Sequence, residues 1–302
     1  MAAVSRENWV ERIRDPKIEC MSRDEMAALQ SRRLVEVVNR VYNNVEFYRK
    51  KMQDMGIEPG DIKSIEDIGK LPFTTKEDLR ENYPFGLLAI PKKDVVRVQG
   101  TSGTTGKQTI TITDMYNIFL GKSCHRQFSC HTFPPYFYIF LRIRSNRQFS
   151  CCTGGLGLDF GARALGAMAI QMSAGNTKRQ MMCMEDLGAT AFACTPSYAL
   201  YLAESIQEAG IVDRLNLKVG IHGAEPWTEE MRKKIEDILH INCFDIYGLC
   251  EITGPGVAQD CIHKAGLHVQ ADYFYPEVLN PTTHEPCADG ETGELVFTTL
   301  AK

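Results

Sequence analysis

From residue 153 to residue 248 the chain alternates between helical and strand-like hydrophobic periods, and this constrains its fold more than any other feature. FGARALGAMAI (160–170) and KRQMMCMEDLG (178–188) read as helices, and TAFACT (190–195) as a strand. PSYALYLAESIQEAG (196–210) reads as a helix, LKVGIHG (217–223) as a strand, WTEEMRKKIEDILH (227–240) as a helix and INCFDIYG (241–248) as a strand. Such alternation predicts βαβ units, and therefore an α/β fold in which helices cover a parallel sheet.

The flanking regions differ in texture. Residues 1–90 are charged and helical in pattern. Ser22-Arg23-Asp24-Glu25 has the Ser-x-x-Glu spacing of a capping box, and Met26, Leu29, Leu34, Val37, Val38 and Val41 follow at helical intervals. Thr74-Thr75-Lys76-Glu77 marks a second helix start. From Asp94 the β-branched runs VVRVQ and QTITIT predict two strands joined by a glycine-rich loop. From His268 onward short strands and turns dominate, including the Asp-Gly and Thr-Gly turns of ADGETGELVFTT. The expected organisation is a helical subdomain (1–90), an α/β core (91–267) and a β-rich region (268–302).

Composition narrows the function classes. A net charge of −4 argues against a general nucleic-acid binder. No run of about eighteen apolar residues is present to span a membrane. The N-terminus MAAVSRENWVERIRDP lacks the apolar centre of a signal peptide, and eleven cysteines without one point to reduced thiols in the cytoplasm.

One segment breaks the pattern. Between Met115 and Leu158 there is no acidic residue, but Lys122, Arg126, Arg142, Arg144 and Arg147 are present. The string RQFSC occurs at 126–130 and again at 147–151, on either side of the aromatic cluster FPPYFYIFL. Basic residues among aromatics can bind single-stranded nucleic acid, and such a cluster can also touch a membrane surface. The expected explanation is instead a reading-frame or gene-model error, or a diverged insert, across residues 113–152. The segment lacks both periodicity and turn chemistry.

The loop Gly100-TSGTTGK-Gln108 resembles a phosphate loop with the wrong neighbours. A Walker A loop needs Gly-x4-Gly-Lys-Ser/Thr followed by a helix. Here five residues separate Gly100 from Gly106, and Gln108 stands where the magnesium-binding hydroxyl would be. Strand-forming residues follow, so no helix dipole faces the phosphate. What fits is a pliant strand–loop–strand. Gly103 and Gly106 let backbone amides approach oxyanions, Thr101, Ser102, Thr104 and Thr105 donate hydroxyls, and Lys107 supplies a point charge. A plain polar hairpin tip would rarely need all of these.

TSGTTGK resembles the phosphate loop of the adenylate-forming enzymes. Gly223-Ala224-Glu225-Pro226-Trp227 and Asp245-Ile246-Tyr247-Gly248-Leu249-Cys250-Glu251 look like the two adenine-side motifs of the phenylacetate–CoA ligase family within that superfamily. PFTTKEDLREN, TGGLGLDFGA and CTPSYALYLAE agree in order and spacing, and the resemblance extends over nearly the whole chain except roughly residues 113–152. It implies the large N-terminal domain of an adenylate-forming enzyme, with parallel sheets covered by helices and a partial β-rich region at its end.

By this resemblance the chain would join a carboxylic acid, with phenylacetate the best guess, to the α-phosphate of ATP and pass the acyl group to coenzyme A. Thr101 to Lys107 would hold the β- and γ-phosphates, and Tyr247 would stack on adenine. Gly223, Ala224, Glu225 and Pro226 would line the other side of the base, and Glu251 would bind Mg2+. A carrier protein as acyl acceptor and a non-catalytic nucleotide- or RNA-binding protein are the alternatives. The expected partners are small molecules, with neither nucleic acid nor membrane among them and with room for a homodimer.

The sequence departs from the family in three places. Cys250 stands where the family has Ser or Thr, and a thiol is the weaker hydrogen-bond donor. It raises a second reading, a zinc site of Cys250, Cys261, His268 and Cys287, with His263 nearby, although the tight Cys-x2-Cys spacing is missing. RQFSCCTGG replaces the aromatic-glycine run expected of the acyl pocket. Finally, the sequence stops at GELVFTTLAK, before the family's ribose-binding aspartate, hinge and small C-terminal domain with its lysine. Weak nucleotide binding and little acyl-CoA formation by this chain alone are therefore expected.

Overall fold

The computed structural model describes residues 15–100, 110–114, 139–143, 153–172, 176–252 and 254–301. The described α-helices are α1 (Pro16–Glu19), α2 (Arg23–Asn44), α3 (Glu46–Asp54), α4 (Lys76–Glu81), α5 (Thr153–Ala164), α6 (Thr177–Asp186), α7 (Pro196–Glu208) and α8 (Glu229–Leu239). The first strands are β1 (Val95–Gly100), β2 (Ile110–Asp114), β3 (Ile139–Ile143), β4 (Met168–Met172), β5 (Ala191–Cys194) and β6 (Val219–Gly223). After them come β7 (Asn242–Leu249), β8 (Gly254–Gln259), β9 (His268–Val269), β10 (Phe274–Leu279) and β11 (Glu294–Thr299). The chain forms two compact units, one of Asp15–Asn117 with Val269–Lys302 and the other of Ile118–His268.

In the first unit, α2 begins with the expected capping box. The Ser22 hydroxyl accepts from the Glu25 amide, and the Glu25 carboxylate accepts from the Ser22 amide at 2.9 Å. Thr75 starts α4 in the same way, with Asp78 as its reciprocal partner. Leu34, Val38, Met52, Ile62, Ile65 and Ile68 then bury one apolar face, completed by Leu300. Each fully buried aliphatic side chain of this kind contributes about 1.5–3 kcal/mol. β1 and β2 pair antiparallel with Gly100 opposite Ile110, which is the strand–loop–strand expected around the glycine loop. The loop residues 101–109 lie outside the described residues. β10 and β11 form the antiparallel hairpin of the turn-rich end, and Gly290 takes the left-handed turn at φ 88°.

The second unit is the α/β body. Its sheet has the order β4-β3-β5-β6-β7-β8-β9, with the neighbours from β4 to β7 parallel and β7–β8 antiparallel. Alternate strand residues point to opposite faces. Phe192 and Cys243 therefore join Met184 of α6, Leu202 and Ile206 of α7 and Ile235 of α8 in one core. Ala191, Ala193, Val219, Ile221, Phe244 and Ile246 join Ala162 of α5 in the other. Helices cover the sheet on both faces, which explains why its strands read as continuous apolar runs.

Two sequence readings need correction. The helix expected over FGARALGAMAI is split in two. α5 starts earlier, at Thr153, and ends before Gly166 (φ 80°), whose turn lets the Ala167 amide donate to the Ala162 carbonyl at 3.0 Å. This glycine-capped end satisfies carbonyls that the helix leaves free, and it releases MAIQM as strand β4. The second correction falls in the anomalous segment. IFLRI, whose first three residues end its aromatic cluster, is strand β3 between β4 and β5, although the segment shows no periodicity. A strand in the middle of a parallel sheet needs only a short apolar run, and such a run carries no alternation. β8 (GPGVAQ) went unpredicted because two glycines and a proline mask it.

Candidate functional site

GAEPW and DIYGLCE, the motifs expected on the adenine side, are separated in sequence and finish side by side. β6 and β7 pair in parallel from Val219↔Asn242 to Gly223↔Ile246, with His222 opposite Asp245. GAEPW therefore leaves the sheet beside DIYGLCE, at the carboxyl ends of neighbouring strands. In open α/β sheets this is where ligands bind.

Both motif glycines are dictated by the close approach of backbones. A Cβ on Gly223 would lie 2.1 Å from the Ile246 carbonyl oxygen. One on Gly248 would lie 2.0 Å from the Gly254 carbonyl oxygen and 2.6 Å from Pro255 Cα, because β8 folds back antiparallel there. Ala224 then takes a left-handed conformation at φ 72°. For a residue with a Cβ this costs roughly 1–2 kcal/mol, and such conformations concentrate at functional turns.

The Glu225 side chain reaches to the start of a neighbouring helix. Its Oε1 accepts from the backbone N–H of Ser197, at 2.7 Å, in the first turn of α7. Pro226 is exposed, and Trp227 turns back inward. The Trp227 ring meets His222 edge-on, with centroids 5.5 Å apart, and receives the Arg232 guanidinium 4.7 Å from its own centroid.

Beneath the motifs lies a buried polar knot that the sequence reading missed. Arg232 Nη1 donates to Asp260 Oδ2 at 2.5 Å and to the Cys243 carbonyl at 2.9 Å. Asp260 Oδ2 also accepts from the Asp245 amide at 3.1 Å, so one carboxylate ties α8 to β7. The Asp245 carboxyl has its pKa raised by burial, and the Asp260 charge adds to the shift. No local signal marks Asp260, whose partners lie far away in the sequence.

His222 is fully buried. Its Nδ1 lies 3.3 Å from the Cys194 carbonyl oxygen, and Nε2 has no hydrogen-bond partner among the described residues. Burial lowers its pKa to about 3, so the ring is neutral near neutral pH, with the Nδ1 proton facing the carbonyl.

Tyr247, just before Gly248, and Cys250 and Glu251, just beyond it, are half-buried. The Tyr247 phenol is shifted upward by burial, and the Glu251 negative charge raises it further, so the two side chains are electrostatic neighbours. The purine-platform and metal-ligand candidates thus occur together. Thr101, Ser102, Gly103, Thr104, Thr105, Gly106 and Lys107 lie outside the described residues. Zinc finds no support, because among the described residues no three His, Cys, Asp or Glu side chains gather into a metal-holding group. Cys261 is buried, and the Cys287 thiol packs against Gly293 of the β10–β11 hairpin, where a Cβ would sit 2.6 Å from its Sγ. The cysteines described, Cys20, Cys183, Cys194, Cys243, Cys250, Cys261 and Cys287, are free thiols. Among the described residues no helix is long and apolar enough to cross a membrane.

Residues 49–300 match the family model described as AMP-binding enzyme. The chain is 40% identical over 292 residues to a phenylacetate-coenzyme A ligase of Thermus thermophilus, covering 95% of this chain and 64% of that protein. It is 43% identical over 294 residues to the phenylacetate-coenzyme A ligase of Escherichia coli (strain K12), covering 95% and 66% respectively. The chain thus spans just under two thirds of the length of these relatives. Among solved structures, a 2-hydroxyisobutyryl-CoA ligase in complex with 2-HIB-AMP and CoA superposes with a TM-score of 0.86. It is 26% identical, and the match covers 95% of this chain and 62% of that one.

Proposed function

Because the chain belongs to the AMP-binding enzyme family, we propose that it is the nucleotide-binding portion of an ATP-dependent acid–thiol ligase. The whole ligase activates an aryl carboxylic acid as an acyl-adenylate and transfers the acyl group to coenzyme A, and this chain alone is impaired in the overall reaction. Phenylacetate is the acid named in the relatives it matches. The observation that carries this reading is the Gly223↔Ile246 register, which sets both adenine-side motifs at one end of the sheet.

In the first step a carboxylate oxygen attacks the α-phosphorus of ATP, and the bond to the departing pyrophosphate breaks. In the second the thiolate of coenzyme A attacks the activated carbonyl and AMP leaves. Such chemistry calls chiefly for positioning and charge neutralisation. Tyr247 stacks on the adenine, and the backbone of Gly223, Ala224, Glu225 and Pro226 lines its other side. Thr101 to Lys107 hold the β- and γ-phosphates. Glu251 offers a half-buried carboxylate, the hard oxygen donor that suits a Mg2+ already bound to phosphate. When bound, Mg2+ neutralises phosphate charge. Cys250 sits beside the nucleotide as a weak donor rather than a zinc ligand. The same reading places the protein in the cytoplasm, acting on small molecules.

Phenylacetate-dependent exchange of pyrophosphate into ATP tests adenylation, and a crystal soaked with Mg-ATP tests the geometry. Triphosphate with its metal bound beside Glu251 is expected. Triphosphate found remote from Glu251 would overturn the proposal.

A further inference from the structure

The carboxylate of Glu225 is occupied in a way that no role at the nucleotide requires. Helix α7 begins without a local cap, since Thr195 makes no side-chain hydrogen bond to the first turn. The first amides of a helix lack intrahelical partners, and a negative charge there also meets the positive end of the helix dipole. Glu225, from a different loop, supplies what is missing by accepting from the Ser197 amide at 2.7 Å. The loop that carries Glu225 is otherwise poorly held. Gly223 has no side chain to pack, Ala224 sits at φ 72°, and Pro226 is exposed and donates no backbone hydrogen bond. Its next anchor is Trp227, set against His222 and Arg232.

We propose that Glu225 is a positioning residue: its bond to the start of α7 holds the strained Ala224 turn in the shape that receives the adenine. Neither metal nor triphosphate is its target. The inference rests on the nucleotide-binding reading above and deepens it. What Glu225 contributes is acceptance of one hydrogen bond, assisted by charge, so a neutral acceptor of the same length retains most of the effect.

Calorimetric titration of AMP without metal and of Mg-ATP, on the wild type, Glu225→Ala and Glu225→Gln, tests this. Losing a charge-assisted hydrogen bond and the turn it holds predicts about tenfold weaker binding of both nucleotides by Glu225→Ala. Glu225→Gln is expected to stay within about threefold of wild type, since its amide oxygen still accepts from Ser197. Three results would overturn the proposal: wild-type affinity in Glu225→Ala, a loss confined to Mg-ATP, or Glu225→Gln as weak as Glu225→Ala. If Glu225→Ala does not fold, the glutamine variant alone decides, because a folded Glu225→Gln that has lost AMP binding contradicts the role. A wild type that binds neither nucleotide would overturn the functional reading and this inference with it, an outcome distinct from the other three.

Discussion

Gly223 and Ile246 face each other across two parallel strands, so closely that a Cβ on the glycine would stand 2.1 Å from the isoleucine carbonyl oxygen. No rotamer relieves a clash between a Cβ and backbone. Gly223→Ala is therefore expected to push β6 from β7 at the cost of about 1–3 kcal/mol. Urea denaturation should show the loss of stability, and AMP titration a matching loss of affinity. An alanine variant with unchanged stability and affinity would refute the requirement for this contact.

His222 predicts a pH dependence. Its folded pKa, about 3, lies below the 6.5 of a free imidazole, so the native state keeps it neutral while the unfolded chain takes up a proton. The stability it contributes is complete above pH 6.5. It is lost as pH falls toward 3, with a slope of at most about 1.4 kcal/mol per pH unit. Other groups titrate in the same range, so the comparison should be with His222→Phe. The gap in unfolding free energy between variant and wild type should change steadily between pH 6.5 and 4. A constant gap would contradict the burial argument.

The Arg232–Asp260 pair is buried, with side chains 7% and 2% exposed. Asp260→Ala leaves the buried guanidinium with only the exposed Glu229 as an ion partner, 3.1 Å from its Nε, and frees the Asp245 amide, so a loss of about 3 kcal/mol is expected. The double variant Arg232→Met, Asp260→Leu should recover part of it, because it removes both charges while keeping volume. Chemical denaturation of the three proteins measures both effects.

Glu251 is expected to matter only when metal is present. Glu251→Gln should weaken Mg-ATP binding by about tenfold while leaving metal-free AMP binding unchanged. The same substitution removes a negative charge that raises the Tyr247 phenol, so the tyrosine should ionise at lower pH. Ultraviolet titration of the phenolate gives this second readout without nucleotide.

Much of this molecule is written locally. The capping residues Ser22 and Glu25 stand three positions apart, and the apolar periods of α6, α7 and α8 lie within single elements, so all of them show in the sequence. The alternation of those periods predicts helices over a parallel sheet, because each element has to bury its apolar side against another. TSGTTGK, GAEPW and DIYGLCE likewise carry the resemblance to the adenylate-forming enzymes before any neighbour is known.

Neighbour relations were decided only in three dimensions. Nothing near Glu225 points to Ser197, nothing near Asp260 points to Arg232, and the place of IFLRI between β4 and β5 carries no periodic trace. Periodicity reports which side of an element is apolar. Which elements lie next to each other, and in what register, follows from burying both faces of one sheet at once, and this condition involves the chain as a whole.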